Sequence, residues 1–415
     1  MSAPESSDRI VLHVAGPDRP GVTARITQVI AEENAGLVNI GQSVLHGYAM
    51  LSAIVDVPAG SSVLQRLLSA TSELGLRMEV SAWSGDAHPR RPAGAGLCLT
   101  VLGELGSGRA AAALTQYLAE RCLNLREVRS LSLGTLTGLE LITDAPARLS
   151  AGELTELRGQ LLAMSGQLGV DLAVQRDDIF RRSKRLVCMD VDSTFVKGEF
   201  IDELAELAGV KPEVAEITAR AMRGELDFKQ ALVERVRLLE GLPMARAREL
   251  CDRFELTPGA SELVRTLRYL GFKVGLVSGG FDFFVELLKE RFGLDFAFAN
   301  ELEVRDDRLT GRVQGTIVDS ERKAQVLKDM AQVYHVRLGQ TVAVGDGAND
   351  MLMLQAAGLG IAFQAKPKLQ EVAHTSLNYN ERLDALLYLM GYNAEDVAYL
   401  HAGHDSWPPP PRTTP

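Results

Sequence analysis

A chain of 415 residues is too long for one hydrophobic core, so two or three domains are expected. A net charge of −10 excludes nucleic acid as a main partner, because phosphate-backbone binding needs a basic face, but it leaves room for a small phosphate ester. With 46% hydrophobic residues, no uninterrupted apolar run long enough to span a bilayer and a polar, acidic first segment unlike a signal peptide, the reading is a soluble cytoplasmic protein with no membrane partner. Cys98, Cys122, Cys188 and Cys251 lie far apart without a Cys-x-x-Cys pair, so buried free thiols are expected rather than zinc or disulfides.

Residues 9–15 read as a strand, followed by the loop Gly16-Pro-Asp-Arg-Pro-Gly21. Residues 22–34 carry Val22, Ile26, Val29 and Ile30 at helical spacing. Strands at 37–43 and 49–57, a helix at 62–74 and a strand at 79–83 complete a β-α-β-β-α-β unit. A Gly- and Pro-rich linker at 85–94 precedes a second unit of similar length: strands at 97–103, 125–133, 138–143 and 171–175, helices at 109–121 and 151–166. Two such units in succession suggest internal duplication.

The first unit resembles ACT domains, regulatory modules that bind small molecules, and Gly16-Pro-Asp-Arg-Pro-Gly21 matches their ligand loop. Gly16 and Gly21 would offer backbone amides at a helix N-terminus to a ligand carboxylate, and Asp18 would meet an amino group. The structural alternative is a plain turn, with Asp18 capping the helix and Pro20 in its first turn. The second loop, Gly103-Glu-Leu-Gly-Ser-Gly108, lacks the Asp-Arg-Pro core. The resemblance implies a homodimer through paired ACT domains.

The apolar run 186–189 reads as a buried strand ending in Asp190-Val191-Asp192-Ser193-Thr194. Alternation puts Asp190 and Asp192 on one side at the strand's C-terminal end, where ligands bind in open α/β sheets. Two like charges this close need a cation between them or a proton on one, unless the segment is a solvated turn. Residues 198–256 are helical and read as a cap that excludes water. In the cap, Met222 and Phe228 read as packing residues and Arg235 as a surface residue unless a ligand engages them. A second strand at 272–277 ends in Ser278-Gly279-Gly280, a hydroxyl and amides suited to phosphoryl oxygens. A hairpin turns at 305–308. Lys323 falls in the first turn of a helix at 320–334 with Ser320 as N-cap; a cation there opposes the macrodipole unless it faces an anion. A third strand ends in Gly345-Asp-Gly-Ala-Asn-Asp350, adding the carboxylates of Asp346 and Asp350. A further strand is expected at 358–363, a last helix at 384–391, and a disordered tail from 396 to 415 that includes Pro408 to Pro411.

Asp-x-Asp-x-Thr, Ser-Gly-Gly, a lone Lys and Gly-Asp-x-x-x-Asp in this order resemble the haloacid dehalogenase superfamily. Glu199, nine positions after Asp190, with the Met222, Phe228 and Arg235 spacing, is similar to its phosphoserine phosphatase family, and the ACT-like units to the longer regulated forms, mycobacterial ones in particular. The implied fold is α/β: a Rossmann-like core with a helical cap over 183–395, preceded by two ferredoxin-like ACT domains at 1–86 and 95–177.

The resemblance implies Asp190 as nucleophile, Asp192 as acid and base, and Lys323, Ser278 and Gly279 as phosphate ligands. It also implies Mg²⁺ on Asp190, Asp346 and the main-chain carbonyl of Asp192, with Asp350 orienting that set. Arg235 and Glu199 would take the carboxylate and ammonium of O-phospho-L-serine, Asn349 would donate nearby, and Met222 and Phe228 would form apolar walls. Serine is the effector this suggests. The stations do not separate phosphoserine from homoserine phosphate or a sugar phosphate. An amino-acid sensor with a degenerate catalytic half would lack Asp190, Asp192, Lys323 or Asp346, and none is missing.

Overall fold

The computed structural model describes residues 8–84, 96–132, 137–144 and 150–402; the expected linker at 85–94 lies outside them. Contacts divide the chain into two units, residues 1–90 and 91–415.

In the first unit, β1 (Asp8–Pro17), β2 (Gly36–Leu45), β3 (Tyr48–Val57) and β4 (Arg77–Ala82) form an antiparallel sheet in the order β2-β3-β1-β4. Alternate residues Leu12, Val14, Leu51 and Val55 face the helices Val22–Glu32 and Val63–Glu73, whose Ile26, Val29 and Leu67 complete a buried core. A Cβ on Gly16 would lie 2.6 Å from Leu76 Cδ2, and Gly21 takes φ +99° at the helix start. Gly21, not Asp18, is therefore the N-cap, and Asp18 is exposed. Its carboxylate has no partner among the described residues, which leaves it available to a ligand.

The second unit begins with the same pattern: β5 (Gly96–Leu102), β6 (Leu125–Ser130), β7 (Gly138–Asp144) and β8 (Asp171–Asp177), ordered β8-β5-β7-β6 against the helices Arg109–Glu120 and Ala151–Leu168. The duplication extends to its glycines. Gly103 would meet Val170 Cγ1 at 2.8 Å, as Gly16 meets Leu76, and Gly108 precedes its helix at φ +69°, as Gly21 does.

The chain then builds a Rossmann-like half from β9 (Leu186–Met189), β10 (Lys273–Phe281), β11 (Phe296–Arg305), β12 (Arg308–Gln314), β13 (Thr341–Gly345), β14 (Leu359–Phe363) and β15 (Thr375–Leu377). Strand β9 is central, parallel to β10 on one side and β13 on the other, and successive strands are added outward first on one side of it and then on the other. That switch point opens a crevice at the carboxyl ends of the strands. Burial on both faces explains the unbroken apolar runs in β9 and β13.

Strand β15 pairs β14 on one side and, through Thr375 and Ala173, β8 on the other. One sheet of eleven strands therefore runs from β12 to β6, and the second ACT-like unit is built into the same body as the Rossmann-like half. The three-residue β15 carries no periodicity of its own and was not expected from the sequence.

Four helices, Phe200–Ala208, Lys211–Met222, Phe228–Arg237 and Met244–Cys251, form the cap between a bridge of Val196 with Leu256. Phe200 anchors its base, stacked on Phe284 with ring centroids 4.2 Å apart and edge-on to Phe281 and Phe283. The cap is tied to β12 by Gly241 N–H to Leu309 O at 2.8 Å and by Arg308 to Gly241 O at 2.7 Å.

Three sequence expectations need correction. The tail does not begin at 396: helix Ala394–Ala402 follows a reciprocal cap between Asn393 and Asp396 and buries Leu400, while 403–415 lie outside the described residues. The expected helix at 384–391 is a 3₁₀ turn, Leu383–Ala385, followed by the single helical turn Leu386–Leu389. Cys122 is exposed, whereas the other three thiols are buried.

His374, just before β15, accepts the Gly360 N–H through Nδ1 at 2.8 Å. Burial, helped by Arg158 and Lys184, pulls its imidazole down to about 4. A depressed histidine is neutral when folded, so the unfolded chain binds the extra proton. Stability is full above about pH 6.5 and declines as pH falls towards 4, by at most about 2 kcal/mol between pH 6.5 and 5. Urea unfolding at those two pH values should show a smaller decline in His374→Asn; equal declines would remove His374 as the cause.

Candidate active site

Strand β9 ends at Met189, so Asp190 and Asp192 sit on the turn that follows it, with fully buried Val191 between them. The turn is tight: Thr194, Phe195 and Val196 all donate N–H bonds to the Val191 carbonyl, and Ser193 takes φ +55°. A non-glycine residue in this left-handed region, between the two acids, marks strain held at a functional site.

Asp190 Oδ1 accepts from its neighbour Val191 N–H at 2.7 Å and from Lys323 Nζ at 2.8 Å, and its Oδ2 has no hydrogen bond to the described residues. Lys323 has no solvent exposure and lies between two carboxylates, reaching Asp350 Oδ1 at 2.6 Å. Asp319, not Ser320, caps its helix, Ser320–Val333, by accepting from Arg322 N–H. The lysine opposes the helix dipole, and the two anions facing it account for the placement. Burial works against its charge, but Asp190 and Asp350 outweigh burial and hold the ammonium protonated.

Asp346 and Asp350 come from the turn after β13. Oxygens of Asp190, Asp346 and Asp350 all lie within 4.8 Å of one another. Asp350 is held by Lys323 on one oxygen and by Gly347 N–H at 3.1 Å on the other. A Cβ on Gly345 would lie 2.4 Å from Asp350 Cγ, so only glycine lets this turn close. Burial raises the Asp190 carboxyl well above the ordinary range, with Asp350 adding to it; burial and Asp350 likewise push Asp346 up to about 7. One ammonium does not balance this many acids. The donors are all hard oxygens, so the cluster fits a divalent cation such as Mg²⁺.

Asp192 is not one of the three acids of that cluster. It accepts from Phe200 N–H at 2.7 Å and Ser278 Oγ at 3.1 Å. Burial raises its carboxyl, and these two donors oppose the shift. Ser278 Oγ in turn accepts from Gly280 N–H at 2.8 Å. A Cβ on Gly279 would meet Phe228 Cζ at 2.9 Å and Asn349 Nδ2 at 3.7 Å, so the cap residue Phe228 lies directly over the phosphate station beside Asn349.

Glu199 precedes helix Phe200–Ala208, reaches solvent and accepts from Ser193 Oγ at 3.2 Å; burial and then Asp192 raise its carboxyl. Arg235 is half-buried, with Nε on the Ala231 carbonyl at 3.3 Å and no ion pair to a described residue. Burial lowers its guanidinium against the opposing charges of Glu199, Asp202 and Asp192. Met222 ends its helix at 74% exposure. Gly16, Asp18 and Gly21 belong to the first unit.

Three residues without a sequence-based role also serve the site. Fully buried Thr194 donates to Asp346 Oδ1 at 3.5 Å. Buried Asn300 donates to the Gly279 carbonyl at 2.7 Å and accepts Val318 N–H at 2.8 Å, orienting the Ser-Gly-Gly turn. An Asn within the apolar run of β11 is the signal that could have found it. Lys366 donates its N–H to the Asp346 carbonyl at 3.2 Å, and its charge pulls the Glu199 and Asp346 carboxyls down. A cavity of about 590 Å³ lies elsewhere, between the second ACT-like unit and the C-terminal segment.

Residues 187–355 match the model of haloacid dehalogenase-like hydrolases, and residues 8–81 and 97–175 match two ACT-domain models. The chain is 44% identical over 405 residues to the phosphoserine phosphatase of Streptomyces coelicolor, covering 96% of each chain. It belongs to the phosphoserine phosphatase family. It is also 41% identical over 398 residues to the phosphoserine phosphatase of Mycobacterium tuberculosis, covering 95% of this chain and 96% of the relative. Among solved structures, a haloacid dehalogenase family hydrolase from Salmonella enterica superposes with a TM-score of 0.62 at 31% identity, covering 71% of this chain and 99% of its own. A probable phosphoserine phosphatase from Vibrio cholerae gives 0.57 at 33% identity, covering 74% and 88%. The chain is a phosphoric monoester hydrolase with a Rossmann-like core and two ACT domains. Among the described residues no helix is long and apolar enough to cross a membrane.

Proposed function

We propose that the protein is a cytosolic enzyme that hydrolyses O-phospho-L-serine to L-serine and phosphate through an aspartyl-phosphate on Asp190. The observation that carries this reading is the arrangement of Asp190, held through Oδ1 by Lys323 with Oδ2 free, beside an Asp192 whose carboxyl is raised.

Asp190 Oδ2 attacks phosphorus while the serine oxygen leaves. Lys323, the Ser278 hydroxyl and the Gly279 amide neutralise the phosphoryl oxygens, where most of the rate enhancement arises. Asp192 protonates the departing serine oxygen, then takes a proton from the water that opens the aspartyl-phosphate. Asp190, Asp346 and the Asp192 main-chain carbonyl would hold Mg²⁺, with Asp350 orienting them. The ion supplies further charge neutralisation at the phosphoryl group.

In the cap, Arg235 takes the substrate carboxylate and Glu199 its ammonium, while Phe228 excludes water above Gly279 and Asn349. Phosphate release from O-phospho-L-serine, phosphothreonine and a sugar phosphate, with Mg²⁺ or chelator, tests the whole reading. A Mg²⁺-dependent preference for phosphoserine is expected. Turnover of the other esters with phosphoserine ignored would retain the chemistry and discard the substrate.

Arg235→Ala should lower kcat/KM for phosphoserine by about 100-fold or more, the scale of a lost charged hydrogen-bond pair, and spare a small aryl phosphate. Equal loss on both substrates would contradict its role.

We read the Gly16–Gly21 loop as a serine site for feedback inhibition, supported by the unpartnered Asp18 carboxylate. Asp18→Ala should weaken serine inhibition about tenfold, the scale of one charged contact, with uninhibited turnover unchanged. Unaltered inhibition would locate any serine effect elsewhere. A homodimer is supported by the edge strand β2, exposed throughout with Leu37, Val44 and Leu45 outward. A monomer in sedimentation at micromolar concentration would overturn it.

A further inference from the structure

The second ACT-like unit is tied to the catalytic half by an acid that no chemistry claims. Asp171 opens β8 and is buried. Its Oδ1 accepts from Asn378 N–H at 2.6 Å and Tyr379 N–H at 3.1 Å, and its Oδ2 from Asn380 N–H at 2.8 Å. Three consecutive backbone donors converge on one carboxylate, so the loop after β15 takes its shape around a charge supplied by the other module.

That loop holds the next one. Gln364, at φ +46°, donates through Nε2 to the carbonyls of Asn378 and Asn380, both at 3.1 Å. Asn378 Oδ1 accepts Ala365 N–H at 3.2 Å. The following residue, Lys366, donates its N–H to the Asp346 carbonyl, and its ammonium acts on Asp346 and Glu199. A cavity of about 590 Å³ opens beside Tyr379 and Asn380, and hydrogen bonds to Asp171 and Gln364 restrain the loop there.

We propose that Asp171 is a positioning residue for Asp346, acting through the 378–380 loop and the Gln364–Lys366 turn, so that the second ACT-like unit is a structural part of the metal-binding site. This rests on the reading that the acidic cluster holds a divalent cation. Asparagine is isosteric with aspartate but replaces one acceptor oxygen with a donor that would oppose a backbone N–H.

The test uses the full-length chain with Asp171→Asn, Gln364→Ala and the pair, measuring kcat and KM for O-phospho-L-serine in Mg²⁺. Mn²⁺ affinity without substrate, followed by electron paramagnetic resonance, and the thermal midpoint complete it. Partners outside a metal's direct ligands typically alter affinity or activity by about 10- to 100-fold, so a more remote relay should show about 3- to 10-fold. Each single variant is expected to weaken Mn²⁺ binding and lower kcat by that factor, with KM within about twofold. The pair should be no worse than the larger single effect, because both break the same relay. Unchanged Mn²⁺ affinity and kcat in a folded Asp171→Asn protein would overturn the proposal, as would additive losses in the pair. Gln364→Ala leaves Asp171 and its three donors in place and carries the test if Asp171→Asn does not fold. Should the wild-type protein ignore phosphoserine, the substrate reading fails while the Mn²⁺ measurements still decide the relay.

Discussion

Asp190→Asn is expected to lower turnover by at least about four orders of magnitude, the scale seen when a covalent nucleophile is removed. The amide cannot displace serine from phosphorus, yet its Oδ1 can still accept from Lys323 and Val191 N–H, the two donors that hold the wild-type side chain. The fold should therefore survive, and the loss should be chemical. Acid-quenched protein incubated with ³²P-labelled phosphoserine should carry label in the wild type and none in the variant. Turnover within about 100-fold of wild type would sink the aspartyl-phosphate route.

Lys323→Met should cost about 10³-fold in kcat, at the upper end for loss of one preorganised donor, because it removes the buried ammonium that faces Asp190 and Asp350. A second effect separates it from Asp190→Asn. Methionine fills the space but leaves two buried carboxylates without their cation, and breaking such an arrangement costs about 3–5 kcal/mol of stability. A divalent ion among the same oxygens would offset part of that. Urea unfolding should thus show a large loss in chelator and a smaller one in Mg²⁺. A variant as stable as wild type in chelator, or with kcat within about tenfold, would show that Lys323 neither balances these acids nor serves the phosphoryl group.

Much of this site was legible because its residues sit at the ends of short apolar strands. Leu186 to Met189 and Thr341 to Gly345 are buried on both faces, so their composition marks them as central strands, and the carboxylates just beyond them fall where ligands bind in open α/β sheets. Lys323 was legible as a conflict with the helix dipole, which two carboxylates resolve. Asn300 and Lys366 were less so, because their roles run through backbone groups remote in sequence: the Gly279 carbonyl and the Asp346 carbonyl. Met222, read as an apolar wall from the resemblance, ends its helix at 74% exposure.

Local pattern determined the duplicated β-α-β-β-α-β units, the helical cap and the order of the strand-end stations. Each depends on periodicity, on glycine at a required φ, or on a turn within a few residues. Tertiary structure alone decided that the second ACT-like unit and the Rossmann-like half share one sheet. That junction includes a three-residue strand with a single paired position, the shared packing of Leu102, Leu131 and Ala173, and one carboxylate gathering three N–H groups from about two hundred residues away. Such a contact leaves no hydrophobic period in the chain. Its stability comes from groups that meet only once both halves have folded.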